Sequence, residues 1–75
     1  MFKIGDRVKT LAVESRTELA NKVYANRNAT IIEICRPFGL HTQYKVKFDE
    51  SFYDYGYIVE THYYYDWENG LILRT

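Results

Sequence analysis

The segment that best reveals the architecture is Gln43-Tyr44-Lys45-Val46-Lys47-Phe48-Asp49, in which apolar and polar side chains alternate without a break. Successive side chains of a β-strand point to opposite faces, so Tyr44, Val46 and Phe48 would share a buried face. A helix would instead need apolar residues three and four positions apart. The segment therefore predicts a strand with one face in a core and the other in solvent.

Four other segments also have the composition of short strands, and two turn-like segments separate some of them. The predicted strands cover residues 7–11, 29–35, 57–65 and 71–74. β-branched and aromatic residues dominate these segments, as is usual in strands. Residues 50–56 are predicted as a loop or hairpin turn, and residues 66–70 as one tight helical turn that ends at Gly70. The chain is thus predicted to be mostly β, with five short strands.

The interval between the first two predicted strands, residues 12–28, has a different pattern. Ser15-Arg16-Thr17-Glu18 has the spacing of a capping box, in which Ser15 would cap a helix and Glu18 would reach back. Apolar residues follow at helical spacing up to Tyr24. An isolated helix this short is marginal without tertiary packing. A short helix and a long loop both remain open from the sequence.

Length and composition predict one domain, residues 1–75, in the cytoplasm. The chain has 75 residues and a single cysteine, Cys35, so it cannot form an internal disulfide. Its apolar runs are a few residues long, far below the roughly 20 needed to cross a bilayer. Residues 1–6 do not have the pattern of a signal peptide. We therefore expect no association with membranes.

Charge is distributed unevenly although the net charge is zero. Residues 1–47 carry nine Lys and Arg against four acids, a net +5, whereas residues 48–75 carry six acids against Arg74, a net −5. A dedicated nucleic-acid binder usually has a clear positive excess, which this chain lacks. Overall neutrality also disfavours an acidic DNA mimic.

Tyrosine is the most informative residue type. Six of the eight tyrosines lie within thirteen positions: Tyr53, Tyr55, Tyr57, Tyr63, Tyr64 and Tyr65. Because strand residues alternate between faces, Tyr63, Tyr64 and Tyr65 cannot all enter one core. Either Tyr64 points outward or its two neighbours do. Outward rings would contact a partner, since tyrosine is enriched at interfaces, or would cover a second small core.

Side chains that could bind a metal or catalyse a reaction are scattered. The histidines His41 and His62 and the lone Cys35 lack the spacing of a zinc site, which usually takes four converging ligands. No nucleophile lies in a recognisable setting. His62 is expected to be a partly buried, hydrogen-bonded strand residue. We expect no enzyme, no metal and no cofactor.

Several motifs resemble those of small SH3-like barrels, with a layout similar to KOW-type and Tudor-like domains. They are Ile4-Gly5-Asp6-Arg7-Val8-Lys9, Ala29-Thr30-Ile31-Ile32-Glu33-Ile34, Tyr44-Lys45-Val46-Lys47-Phe48-Asp49 and Tyr65-Asp66-Trp67-Glu68. The resemblance implies a five-stranded SH3-like barrel with a long first loop that could hold a short helix. Ala29 stands where KOW-type modules place a glycine, which disfavours nucleic-acid binding of that kind.

The leading hypothesis is a non-catalytic module that binds a protein with a basic surface through an acidic and aromatic segment. Its predicted partner-binding residues are Tyr53, Asp54, Tyr55, Tyr57, Tyr64, Asp66 and Trp67. Small size and composition are typical of phage or mobile-element accessory proteins, for which inhibition or redirection of a host protein is a natural role. A free strand edge or tyrosine face could also pair with itself, giving a weak homodimer.

The alternative hypothesis is a nucleic-acid-associated barrel that uses the basic residues of the N-terminal part and central strand. Its predicted contacts are Lys3, Arg7, Lys9, Lys45 and Lys47. These residues alternate with apolar ones, so they would lie on a solvent face and could contact phosphates.

Overall fold

The computed structural model describes residues 1–74, which form five β-strands, one α-helix and two 3₁₀ turns. The strands are β1 (Arg7–Thr10), β2 (Asn28–Cys35), β3 (Gln43–Asp54), β4 (Tyr57–Tyr65) and β5 (Leu71–Leu73). The helix, α1, is Glu18–Tyr24, and the 3₁₀ turns are Pro37–Gly39 and Asp66–Glu68. The predicted mostly β class with five strands is confirmed, although β3 has 12 residues and β4 has 9.

The five strands form one antiparallel sheet in the order β4-β3-β2-β1-β5. Within residues 1–74 the two outer strands, β4 and β5, do not pair with each other, so the sheet is barrel-like but not closed. β4 is consequently an edge strand of nine residues, whereas β5 is an edge strand of only three.

The core lies on one face of the sheet and follows the alternation of β3. Tyr44, Val46 and Phe48 are all buried, as predicted. Further buried apolar residues come from the other strands except β5 and from the loop before α1: Val8, Val13, Ala29, Ile31, Phe52 and Tyr64. Tyr64 pairs with Tyr44 across the strands and is only 1% exposed, so of the three consecutive tyrosines it is Tyr64 that points inward.

β3 continues to Asp54, well into the segment predicted as a loop. The register shifts between Lys47 and Phe52, which lets the polar residues there stay in solvent while Phe52 returns to the core. The turn is confined to Tyr55 and Gly56, whose φ angles are 51° and 81°. Two central residues with positive φ define a type I′ hairpin turn.

Helix α1 settles the alternative that residues 12–28 left open. The Thr17 hydroxyl accepts a hydrogen bond from the Ala20 N–H at 3.1 Å, so Thr17 is the N-cap and the predicted cap at Ser15 is wrong. Val23 and Tyr24 pack against the core and supply the tertiary contacts that so short a helix requires.

The segment before β5 also differs from its prediction in one detail. Asn69, with φ of 53°, is the left-handed residue that ends the 3₁₀ turn, and Gly70 has another purpose. A Cβ on Gly70 would lie 2.7 Å from Cγ2 of Val13 and 2.8 Å from Cδ1 of Tyr64. Gly70 is therefore required because the core approaches its backbone closely.

Replacing this glycine should disturb the core. We expect Gly70→Ala to lower the free energy of unfolding by about 2 kcal/mol, because Val13 and Tyr64 must shift to admit the methyl group. Urea unfolding measures the change. Ile72→Thr, a conservative change at an exposed residue two positions away, should stay within about 0.5 kcal/mol of the unsubstituted protein. Equal stability of Gly70→Ala and the unsubstituted protein would show that the close approach is absent.

Candidate partner-binding surface

The turn between β3 and β4 carries a group of exposed apolar side chains. Tyr53 is 71% exposed, Tyr55 84%, Tyr57 77% and Ile58 61%. Leu19, on α1, is 61% exposed. We call these five residues the hairpin-tip patch. Three of the predicted partner-binding residues, Tyr53, Tyr55 and Tyr57, thus lie together on the surface.

Tyr55 has an unfavourable backbone conformation for its residue type. Its φ of 51° lies in the left-handed region, where asparagine, aspartate and glycine are the usual residues of a type I′ turn. A bulky side chain there costs on the order of 1 kcal/mol. Because the ring is 84% exposed, burial of Tyr55 within residues 1–74 does not compensate for this cost.

A groove of about 310 Å³ separates α1 from the hairpin. The helix contributes its exposed face and the hairpin contributes residues next to its turn: Thr17, Leu19, Ala20 and Val23 on one side, Tyr53, Asp54 and Tyr55 on the other. The groove thus borders the hairpin-tip patch and extends its apolar surface towards the helix.

Asp54, another predicted contact, connects the hairpin to the helix. Its carboxylate accepts a hydrogen bond of 2.8 Å from the Tyr24 hydroxyl. The Tyr24 ring packs edge-on against Phe52, with 5.3 Å between centroids, and the Arg27 guanidinium lies 3.5 Å from the Phe52 centroid. Burial, followed by the hydrogen bond to Asp54, raises the pKa of Tyr24 to about 12. Asp54 therefore ties the end of β3, next to Tyr53 and Tyr55, to the end of α1.

The remaining three predicted contacts do not join the patch. Tyr64 is in the core, so its assignment to a partner-binding surface is wrong. Asp66 and Trp67 lie beyond the far end of β4, which spans roughly 26 Å at the usual rise per strand residue.

At that far end, Asp66 and Trp67 make local contacts. Trp67 stacks on Tyr65 with 6.0 Å between centroids and is 51% exposed. The Asp66 carboxylate accepts a hydrogen bond from the Thr42 N–H at 3.2 Å and lies 3.4 Å from His41. The single acidic and aromatic surface predicted from the sequence is thus divided by the length of β4.

The hairpin and the segment after it are rich in acids, whereas α1 carries the exposed Lys22 three residues after Leu19. Residues 48–73 contain six acids and no Lys or Arg. Asp49 and Glu68 form ion pairs with Arg7 and Arg16. Within residues 1–74, neither Glu50 nor Glu60 makes a side-chain ion pair or hydrogen bond, and both are exposed. Glu60 lies two residues after Ile58, whereas Glu50 lies beside the segment 26–28.

The residues of the alternative nucleic-acid hypothesis occupy a different surface. Arg7 and Lys47 are both register partners of Thr30, and Lys9, two residues after Arg7 in β1, pairs with Asn28. Arg7 makes a bidentate ion pair with Asp49, whose pKa is lowered by these hydrogen bonds.

The two other basic residues of that hypothesis, Lys45 and Lys3, make local contacts of their own. Lys45 lies 5.5 Å from the centroid of Tyr63. Lys3 precedes β1, and its backbone N–H donates to Asp6 at 2.8 Å. Basic residues thus do lie on neighbouring strands, but Asp49 neutralises the charge of Arg7.

A polar cluster that sequence reasoning missed is centred on Arg16. Its guanidinium donates to Glu68 at 3.2 Å, to the Tyr63 carbonyl oxygen at 3.2 Å and to Nε2 of His62 at 2.9 Å. It also lies 4.6 Å from the centroid of the buried Tyr64 ring. The sequence shows only that residue 16 is basic and residue 68 is acidic. Because 52 residues separate them, nothing in the sequence indicates that they pair.

His62 is half-buried in this cluster, and its predicted role as a hydrogen-bonded strand residue is confirmed. Its ring packs on Tyr24 with 4.5 Å between centroids. Burial first, and then the nearby Arg16 charge, lower the pKa of His62, against a smaller opposite effect of Glu68 and Asp54.

Residues 1–74 contain neither a metal-binding cluster nor a helix that could span a membrane. No group of three or more His, Cys, Asp or Glu side chains converges to hold a metal ion. The helix found there falls short of the length and apolar character of a membrane span.

Comparison with known proteins gives no family assignment. The chain matches no protein-family model, no curated protein and no solved structure. The resemblance to SH3-like barrels therefore stays a prediction from sequence motifs.

Breaking the polar cluster should destabilise the fold. We expect Arg16→Met to lower the free energy of unfolding by about 3 kcal/mol, because Glu68 would remain largely buried without its partner. The double variant Arg16→Met with Glu68→Gln should lose less than the sum of the single variants. Chemical denaturation of all four proteins completes the cycle. Additive losses would indicate that the two side chains do not interact.

The lowered pKa of His62 predicts acid sensitivity. Below the ordinary value of 6.5, the unfolded chain binds a proton that folded His62 still excludes, so stability should fall as the pH decreases from about 7.5 to about 5. Thermal unfolding across this range measures the slope. His62→Gln keeps a hydrogen-bond acceptor for Arg16 but cannot titrate, so its slope should be shallower. Identical slopes for the two proteins would exclude His62 as the cause.

Proposed function

We propose that this protein is a non-catalytic binding module that contacts another protein through the hairpin-tip patch. The patch combines the three rings of Tyr53, Tyr55 and Tyr57, each with a polar hydroxyl, and the aliphatic side chains of Ile58 and Leu19. Such side chains supply most of the binding energy in protein interfaces, where they become desolvated in the complex.

The observation that carries this proposal is the conformation of Tyr55. A tyrosine in the left-handed position of a tight turn destabilises the hairpin, and its ring gains nothing from the core. Strain of this kind is common at sites of function, where a particular side chain is needed despite its cost. An exposed ring at the tip of a hairpin is well placed to enter a pocket on another protein.

The acidic surroundings indicate a partner with a basic surface. Glu60 is exposed two residues after Ile58, Asp54 adjoins Tyr53 and Tyr55, and residues 48–73 contain no Lys or Arg. Opposite charges around an apolar contact accelerate association and select among partners.

The other predictions from the sequence rank below this proposal. Nucleic-acid binding is less well supported because the Arg7–Asp49 ion pair neutralises part of the basic surface. The cytoplasmic location and the accessory role in a phage or mobile element, with inhibition or redirection of a host protein, stay predictions from composition.

The proposal predicts that binding and stability respond in opposite directions at Tyr55. Tyr55→Asn should raise the free energy of unfolding by roughly 1 kcal/mol, because asparagine suits the left-handed turn position. The same change should weaken partner binding about ten-fold or more through loss of the exposed ring. Urea unfolding and isothermal titration calorimetry measure the two effects.

The partner for this measurement would be captured with the intact protein from its source cells and then purified. Added salt should weaken its binding, as charge complementarity requires. Ile72→Thr, on the opposite edge of the sheet, is the matched control and should bind like the unsubstituted protein. A partner that binds Tyr55→Asn and Tyr57→Ser as tightly as the unsubstituted protein would refute the proposal.

A further inference from the structure

We infer that Asn69 is a site of spontaneous deamidation, and that opening of the turn at residues 66–70 controls the rate. Of the four asparagines in the chain, only Asn69 is followed by a glycine. The backbone nitrogen after an asparagine can attack the side-chain carbonyl carbon, Cγ. Glycine hinders this attack least, because it has no Cβ and its backbone is the most free to rotate. The site lies beyond the far end of β4 from the hairpin-tip patch, so it is separate from the proposed function.

The reaction needs only water and the chain itself. The Gly70 nitrogen loses its proton to water or hydroxide and bonds to Cγ of Asn69, while the bond from Cγ to Nδ2 breaks and ammonia leaves. The product is a five-membered imide ring. Water then adds to one of the two ring carbonyl carbons, and the bond from that carbon to nitrogen breaks. The final residue is aspartate or isoaspartate, and in isoaspartate the main chain runs through the side-chain carbons.

The folded turn holds Asn69 in a conformation that prevents this attack. Its φ is 53° and its ψ is 35°. At this ψ the Gly70 nitrogen and the Asn69 Cβ point in nearly opposite directions about the Cα–C bond, whereas ring closure requires them on the same side with the reacting atoms about 3 Å apart. Nδ2 of Asn69 also donates to the Trp67 carbonyl oxygen at 3.4 Å, which turns the side chain towards the preceding residues. Asn69 is thus exposed to water but unreactive while the turn is closed.

The packing around Gly70 opposes rotation to the reactive geometry. Its backbone approaches Val13 and Tyr64 so closely that a Cβ on Gly70 would lie 2.7 Å and 2.8 Å from their side chains. Its carbonyl oxygen accepts a hydrogen bond of 2.8 Å from the Leu11 N–H. A large rotation about the Asn69 Cα–C bond would displace Gly70 from these contacts. Reaction at Asn69 therefore requires the turn to open first.

The ion pair between Arg16 and Glu68 holds the turn closed. Glu68 belongs to the turn, lies 3.2 Å from the Arg16 guanidinium, and has a side chain that is only 8% exposed. It also accepts a hydrogen bond of 2.7 Å from the Tyr65 N–H. Without Arg16 this carboxylate would be largely buried with no cation beside it, which favours an open turn. The cluster centred on Arg16 thus slows deamidation at Asn69.

The isoaspartate product would not return to the original turn. Isoaspartate adds one atom to the main chain directly before Gly70, where the core leaves no room for a displaced backbone. The new carboxylate also joins a turn that already contains Asp66 and Glu68, and like charges repel. We therefore expect the isoaspartate form to lose the hydrogen bond from the Leu11 N–H to Gly70 and the pairing of β1 with β5 next to it.

Incubation in mildly alkaline buffer, with and without guanidinium chloride, tests the site. Peptide mapping by mass spectrometry follows the gain of one mass unit at each asparagine. In the denaturant we expect Asn69 to react at least about ten-fold faster than Asn21, Asn26 or Asn28, and at least about ten-fold faster than Asn69 in the folded protein. Faster reaction of another asparagine in the denaturant, or equal rates at Asn69 in the two conditions, would overturn the inference.

A set of variants tests whether the turn controls the rate. Arg16→Met should speed the reaction at Asn69 in buffer about five-fold or more, and the exposed control Ile72→Thr should leave it unchanged. Ile31→Ala, a core substitution on β2, controls for a general loss of stability, so rates are compared after division by each unfolding constant. If Arg16→Met does not then exceed Ile31→Ala, the turn does not control the reaction. Glu68→Gln takes the place of Arg16→Met if circular dichroism shows that the latter is unfolded.

A comparison of two modified forms tests the consequence. Asn69→Asp supplies the charge of the product without the additional main-chain atom, and aspartate tolerates a φ of 53°. We expect the Leu11 amide to exchange about ten-fold or more faster in the purified isoaspartate form than in Asn69→Asp. Equal exchange rates would rule out the expected loss of pairing at β5.

Discussion

The side chain of Arg16 makes the contact on which much of the structure depends. It joins the segment before α1 to β4 and to the 3₁₀ turn at residues 66–68 through Tyr63, His62 and Glu68. Its guanidinium also covers the buried Tyr64 ring. A small domain has few residues for its core, so one cation that connects three segments has a large effect on stability. The same ion pair covers half of a strand edge that would otherwise be open.

The burial of Tyr64 and the register shift in β3 determine how the remaining aromatic rings are distributed. With Tyr64 inward, Tyr63 and Tyr65 lie outside the core. The register shift returns Phe52 to the core and leaves Tyr53 outside. Tyr24 then closes the inner side of the hairpin against Phe52. Of the exposed rings that remain, Tyr53, Tyr55 and Tyr57 lie at the turn, whereas Tyr63 and Trp67 lie at the other end of β4.

The candidate site could be predicted only in part, for reasons that particular residues illustrate. Tyr53, Tyr55 and Tyr57 were found because a dense group of tyrosines next to acids is visible without coordinates. Tyr64 was misplaced because strand alternation shows that neighbouring side chains point to opposite faces, but it does not show which face is buried. Trp67 was grouped with the others because nearness in sequence does not reveal the length of an intervening strand. Leu19 and Ile58 were missed because isolated apolar residues are ambiguous until their exposure is known.

Local chemistry was enough to predict the mostly β class, the buried face of the central strand and the approximate limits of most elements. Strand alternation and turn composition are properties of neighbouring residues, so they can be read along the chain. The choice of helix at residues 18–24, the close packing at Gly70 and the pairing of Arg16 with Glu68 required the folded arrangement. Each depends on residues far apart in the sequence, and their contacts exist only after the strands have chosen their partners and register.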